Sequence, residues 1–283
     1  MSSDACPGRV RATATPLLAV IAILTLLATL CPQPTLAQET IETSSPRLWI
    51  FMGHPGDEKR RERYLQTVQQ MRKALTGGLG IADKDIRILF GKGKSAPHRQ
   101  CDAKNLLREL DDAVRMSRDG RPIWIFFLGH ANTIPGGANF NLPGSDVTVQ
   151  RIAEKLARIE RRTPVALWLT TASSGNWVKP LSRRHRCIVA ASTPGEKDNE
   201  TEFPHALATI LENPRASDDD RDGMLSVVEI VAAVNAAVAT FYWDENLLRT
   251  EHAVVETNAD GEPSAEPASP DMQGARRFTL RIQ

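Results

Sequence analysis

Asp218, Asp220, Asp222, Met224, Ser226 and Glu229 stand at the first, third, fifth, seventh, ninth and twelfth places of one stretch, and its sixth residue is Gly223. Oxygen donors at those intervals wrap around a single hard divalent cation, and calcium is the ion that accepts six to eight oxygens in a flexible geometry. The carboxylates of Asp218, Asp220, Asp222 and Glu229 would surround the ion. Met224 would add its backbone carbonyl, and Ser226 would act directly or through a water. Gly223 allows the sharp bend that a residue without Cβ takes cheaply. A plainer reading makes Ser226 and Glu229 a capping box that opens a helix, with the aspartates as a solvated acidic turn at its positive end. The cap needs two of these residues and calcium uses all six, so calcium is the expected cofactor.

This spacing is that of an EF-hand loop, and apolar stretches near 205–211 and 226–242 supply a helix on either side of it. Upstream, the chain alternates. Leu48, Trp49, Ile50, Phe51 and Met52 form an apolar run that ends in Gly53-His54. Tyr64, Val68, Met71 and Leu75 then recur at helical spacing up to Gly77-Gly78. A strand at 86–90 precedes a helix at 103–116, with Leu106, Leu107, Leu110 and Val114 on one side. The run 123–128 is apolar at every residue, which marks a central strand covered on both faces. A glycine-rich loop, a helix near 149–161, a strand at 165–169 and another at 188–191 complete the pattern. Strand and helix in alternation predict an α/β fold with a mainly parallel sheet between two helical layers.

In such a sheet ligands bind beyond the carboxyl ends of the strands. Three tails lie there: Gly53-His54, Gly129-His130-Ala131, and the turn from Thr171 through Ala172, Ser173, Ser174 and Gly175 to Trp177. A strand ending in Gly-His, followed by one ending in a small-residue turn with Ser-Gly, resembles the caspase and legumain superfamily of cysteine peptidases. The resemblance implies a caspase-like three-layer sandwich and covers roughly 48–211. His130 falls on the family's catalytic histidine and Ser174-Gly175 on its Ser-Gly. Ala172 falls on its cysteine, and the segment 191–196 lies where the family builds part of its substrate pocket.

Alanine carries no nucleophile, so the expected function is that of a non-catalytic pseudopeptidase that binds a peptide or protein. Two alternatives remain. Ser173 or Ser174 with His130, oriented by Asp146 or Asp57, would make a serine hydrolase. A cysteine-type endopeptidase would need a different alignment, and neither Cys101, which opens a helix, nor Cys187, which precedes a strand, has the right setting. His54 and His130 at one sheet edge make a weaker metal pair with no clear third ligand.

Arg9 and Arg11 precede an apolar run at 17–30 and the small-residue site Thr35-Leu36-Ala37, which reads as a secretory signal peptide cleaved after Ala37. Export to the periplasm or beyond follows, with no stable membrane span once the signal is removed. The remaining 283 − 37 = 246 residues hold 35 − 2 = 33 basic and 34 − 1 = 33 acidic side chains. That balance gives no case for nucleic acid as a partner. The expected organisation is a signal at 1–37, a polar leader at 38–47, the α/β domain at 48–211, the calcium segment at 212–245 and a partly flexible extension at 246–283. Cys101 and Cys187 are expected to stay unconnected.

Overall fold

The computed structural model describes residues 45–91, 98–195 and 199–283. Two units divide the chain, 1–40 and 41–283. The signal segment and most of the polar leader lie outside the described residues.

In chain order the elements are β1 (Arg47–Met52), α1 (Glu58–Thr76), β2 (Ile86–Phe90), α2 (Ala103–Met116), β3 (Ile123–Leu128), β4 (Ala131–Ile134), β5 (Gly137–Phe140), β6 (Val147–Thr148) and α3 (Val149–Leu156). They continue with β7 (Val165–Leu169), α4 (Gly175–Leu181), β8 (Arg186–Ala190), α5 (Phe203–Glu212), β9 (Met224–Ser226), α6 (Val227–Asp244), β10 (Val254–Glu256), α7 (Pro270–Ala275) and β11 (Thr279–Arg281). Helix starts follow side-chain chemistry. Asp57, Asp102, Thr148 and Ser226 each accept a hydrogen bond from a backbone amide in the first turn of α1, α2, α3 and α6.

The main sheet runs β10-β8-β7-β3-β1-β2. Its first five chain-order strands pair in parallel, and β10 closes one edge antiparallel to β8. Side chains alternate across it with the two-residue period of a strand. Leu48, Ile50, Met52, Trp124, Phe126, Leu128 and Trp168 face one core with Tyr64, Val68 and Met71 of α1, Leu207 of α5 and Val234 of α6. Trp49, Phe51, Ile125, Phe127, Leu167 and Leu169 face the other with Leu106 of α2, Ile152 of α3 and Trp177 of α4. The fold is therefore a mixed α/β sandwich with a mainly parallel sheet and helices on both faces, as the alternation predicts.

Two segments depart from expectation. The glycine-rich stretch after His130 is a small antiparallel sheet, β4-β5-β6, whose Phe140 packs edge-on against Phe127 and Trp177. The extension at 246–283, expected to be partly flexible, contributes buried residues to the core. Val254 and Val255 enter the main sheet, and Met272, Ala275, Phe278 and Leu280 are buried. Carboxylates order this stretch where apolar residues are sparse: Asp271, itself buried, accepts from the amides of Thr257 at 2.7 Å and Asn258 at 3.2 Å.

Candidate functional site

The strand tails at the carboxyl edge are laced through their backbones. His130 N–H donates to the His54 carbonyl at 3.2 Å, Asn141 N–H to the His130 carbonyl at 3.1 Å, and His54 N–H to the Asn141 carbonyl at 2.7 Å. The parallel register of β3 on β7 sets Phe127 opposite Leu169, so His130 and the turn that begins at Thr170 leave neighbouring strands side by side. The His130 ring faces the α1 lead-in: a Cβ on Gly56 would lie 2.9 Å from Nε2. Burial holds its imidazole below the usual histidine range, with the Glu200 carboxylate pulling the other way. Glu200 pairs with Arg60, which also binds Asp57 at 2.6 Å.

The two serines engage other partners. Ser173 takes a left-handed φ of 54° and its Oγ accepts from Thr133 Oγ1 at 3.2 Å. Ser174 Oγ lies 3.1 Å from Ser192 Oγ and accepts from the Ser192 amide at 3.0 Å. Both are buried, and Ala172 is 4% exposed. Gly175 is required for close approach, because a Cβ there would run into the backbone of Thr193 and Pro194. The Ser-Gly turn thus seats directly on the segment after β8, with Ser192 as the link that sequence reading did not single out.

The proposed orienting carboxylates also have other partners. Asp57 caps α1 by accepting from Arg60 N–H at 2.9 Å, and Asp146 accepts from Leu142 N–H at 2.9 Å. His54 turns its Nδ1 onto the Gly56 amide at 3.0 Å. Cys101 and Cys187 are buried free thiols, and burial raises both above the ordinary thiol range. That is the opposite of what a thiolate nucleophile requires.

Glu251 fixes the approach to this edge. Its carboxylate accepts from Glu202 N–H at 2.7 Å and Phe203 N–H at 3.1 Å, at the start of α5 and next to Glu200. Burial pushes its carboxyl up to about 7. An unfolded glutamate titrates near ~4.3, so between there and about 7 the folded state holds a proton that the unfolded chain has lost. The group's contribution is complete below the lower value and is lost as pH rises through the upper one. Glu251→Gln should flatten this decline, worth at most about 4 kcal/mol, in urea unfolding compared at acid and neutral pH. Equal pH slopes in the two proteins would show that Glu251 does not titrate in this way.

In the acidic loop, ligand oxygens of Asp218, Asp220 and Asp222 lie within 4.8 Å of one another. Gly223 takes φ +79° and donates to Asp218 Oδ2 at 3.2 Å, while Met224 N–H donates to Asp222 Oδ1 at 2.7 Å. Asp218 Oδ1 is buried with no hydrogen-bond partner. An oxygen so placed is unfavourable by itself and fits a cation. Ser226 and Glu229 form the capping box: the Glu229 carboxylate accepts from Ser226 N–H at 2.8 Å and Ser226 Oγ at 2.6 Å, and it takes the Asp219 amide at 2.9 Å. Cap and aspartate cluster coexist because they use different atoms. The loop is held from outside by β11, with Leu225 opposite Leu280 and Ile282 N–H on the Gly223 carbonyl at 2.9 Å.

No family model and no curated protein matches the chain. Among solved structures it is similar to protein GSU0716 from Geobacter sulfurreducens, at 12% identity over 79% of this chain and 96% of that one, with a TM-score of 0.48. It is also similar to a secreted C11 cysteine protease from Bacteroides thetaiotaomicron, solved with an irreversible peptide inhibitor. That match has 9% identity over 75% of this chain and 66% of that one, with a TM-score of 0.41.

Proposed function

We propose that the chain is an exported calcium-binding protein on a caspase/legumain-like scaffold that has lost its nucleophile and acts by binding a peptide or protein. The observation that carries this reading is the turn after β7. Ala172 stands where the thiol would be, and the two neighbouring hydroxyls are buried and bonded to Thr133 and Ser192. Calcium binding is supported by the converging aspartates and the unpartnered oxygen of Asp218. The ion would join α5 to α6, which pack on each other in one core that also takes in α1, so its role is structural. Asp218, Asp220, Asp222 and Glu229 would hold it with the Met224 carbonyl, and Ser226 would contribute through a water because its hydroxyl is engaged in the cap.

One observation favours a serine hydrolase as the second reading: Ser173 sits at a left-handed φ between a strand and a helix, where strained nucleophiles occur on other folds. A fluorophosphonate probe separates the two. The pseudopeptidase reading expects neither Ser173 nor Ser174 to be labelled in the native protein. Labelling of either serine that disappears in His130→Ala would replace that reading with hydrolysis.

A further inference from the structure

The segment 256–262, which begins at the last residue of β10, matches the spacing of the acidic loop 218–224. Glu256, Asn258 and Asp260 occupy the first, third and fifth positions, and Gly261 the sixth. The fourth residue is left-handed in both loops, Arg221 at φ 58° and Ala259 at φ 69°, and so is the glycine, at 79° and 80°. In both, the third side chain accepts from the fifth amide, Asp220 from Asp222 at 3.2 Å and Asn258 from Asp260 at 2.8 Å. The fifth carboxylate likewise accepts from the seventh amide, at 2.7 Å from Met224 and 2.8 Å from Glu262.

Loop shape alone would not identify a ligand. Glu256 does. Its side chain is 0% exposed, and Oε1 accepts from Ser182 Oγ at 3.0 Å and Ala259 N–H at 2.6 Å, while Oε2 has no hydrogen-bond partner. Asp218 Oδ1 is in the same condition at the first position of the other loop. The buried Arg186 attracts Glu256 through space, but the hydrogen bonds of its guanidinium go to the Leu181 and Leu156 carbonyls and leave Oε2 unpartnered. Buried carboxylates are paired or coordinate metals, and the oxygens around this one are of the hard type.

We propose that residues 256–262 form a second site for a hard divalent cation of the calcium class, held by the side chains of Glu256, Asn258 and Asp260 and the backbone carbonyl of Glu262. The base of the loop is already closed, since Val255 and Ser264 exchange backbone hydrogen bonds at 2.9 and 2.8 Å. The twelfth position is Pro267, so this site lacks the carboxylate that Glu229 gives the first loop and binds more weakly. Its ion would tie the edge strand β10 to Ser182 at the end of α4, the helix that follows the Ser-Gly turn.

Isothermal titration of the full chain with calcium alone tests this. The expected result is two bound ions, with Asp260→Asn weakening one of them by roughly tenfold or more while Asp220→Asn weakens only the other. Asp260 is exposed, and equal melting of Asp260→Asn and wild type in EDTA would establish that the variant folds. Glu256→Gln should reproduce the loss. If Asp260→Asn and Glu256→Gln bind the same number of ions as wild type with the same affinity, the proposal is wrong. Should the first loop bind nothing, the wild type would bind one ion, lost in Asp260→Asn and kept in Asp220→Asn, so the two sites are judged separately.

Discussion

Saturating calcium should raise the melting temperature of the wild-type chain by roughly 10 °C over that in EDTA, and Glu229→Gln should keep only the smaller gain supplied by the loop at 256–262. An ion that binds only the folded state, present at about a thousand times its dissociation constant, stabilises by ~4 kcal/mol. A chain of this size converts each kcal/mol into a shift of about 2–4 °C. Glu229 is the position with most to lose, since its carboxylate belongs to the proposed ligand set and also binds the amides of Asp219 and Ser226. The variant therefore also loses part of a cap, roughly 1 kcal/mol that appears with or without the ion. Asp220→Asn separates the two losses, because Asp220 is exposed and takes no part in the cap. Equal calcium shifts in wild type and Glu229→Gln would exclude the first loop as a site.

The sheet and its helices were legible in the sequence because they are long and strongly patterned. Ile123 through Leu128 is apolar at every position and lies in the middle of the sheet, and the caps at Asp57, Asp102, Thr148 and Ser226 mark where helices begin. The acidic loop was legible for another reason: its three aspartates are close in sequence, so spacing alone gathers them. The edge around His130 was only half readable. Its histidine and turn follow from strand ends, but the partners that occupy Ser173 and Ser174 come from Thr133 and Ser192 on other segments.

The region beyond 246 is only partly legible, for a physical reason. Val254, Val255 and Glu256 make a three-residue strand that pairs only at one edge, and the following Pro, Ala and Glu composition imitates a disordered tail. Its order comes from buried Glu256 and Asp271 binding backbone amides, a signal that apolar periodicity does not carry. The second acidic loop was hidden by the same composition, with a glutamate and an asparagine standing where the first loop has aspartates.

The most direct test of the proposed peptidase-like edge, with its nucleophile missing, is to put a thiol back. In Ala172→Cys, iodoacetamide alkylation at neutral pH reads the state of the new thiol against a quiet background, since Cys101 and Cys187 are 0% exposed with thiols raised by burial, whereas position 172 keeps 4% exposure in the turn after β7. A free thiol near ~8.5 is only slightly ionised at that pH, whereas one beside an imidazole falls to roughly 3.5–7.5 and reacts as thiolate. The account predicts selective labelling at position 172, slowed by about tenfold when His130→Ala is added. Labelling at a rate indifferent to His130→Ala, or no labelling in a variant that melts like wild type, would contradict it.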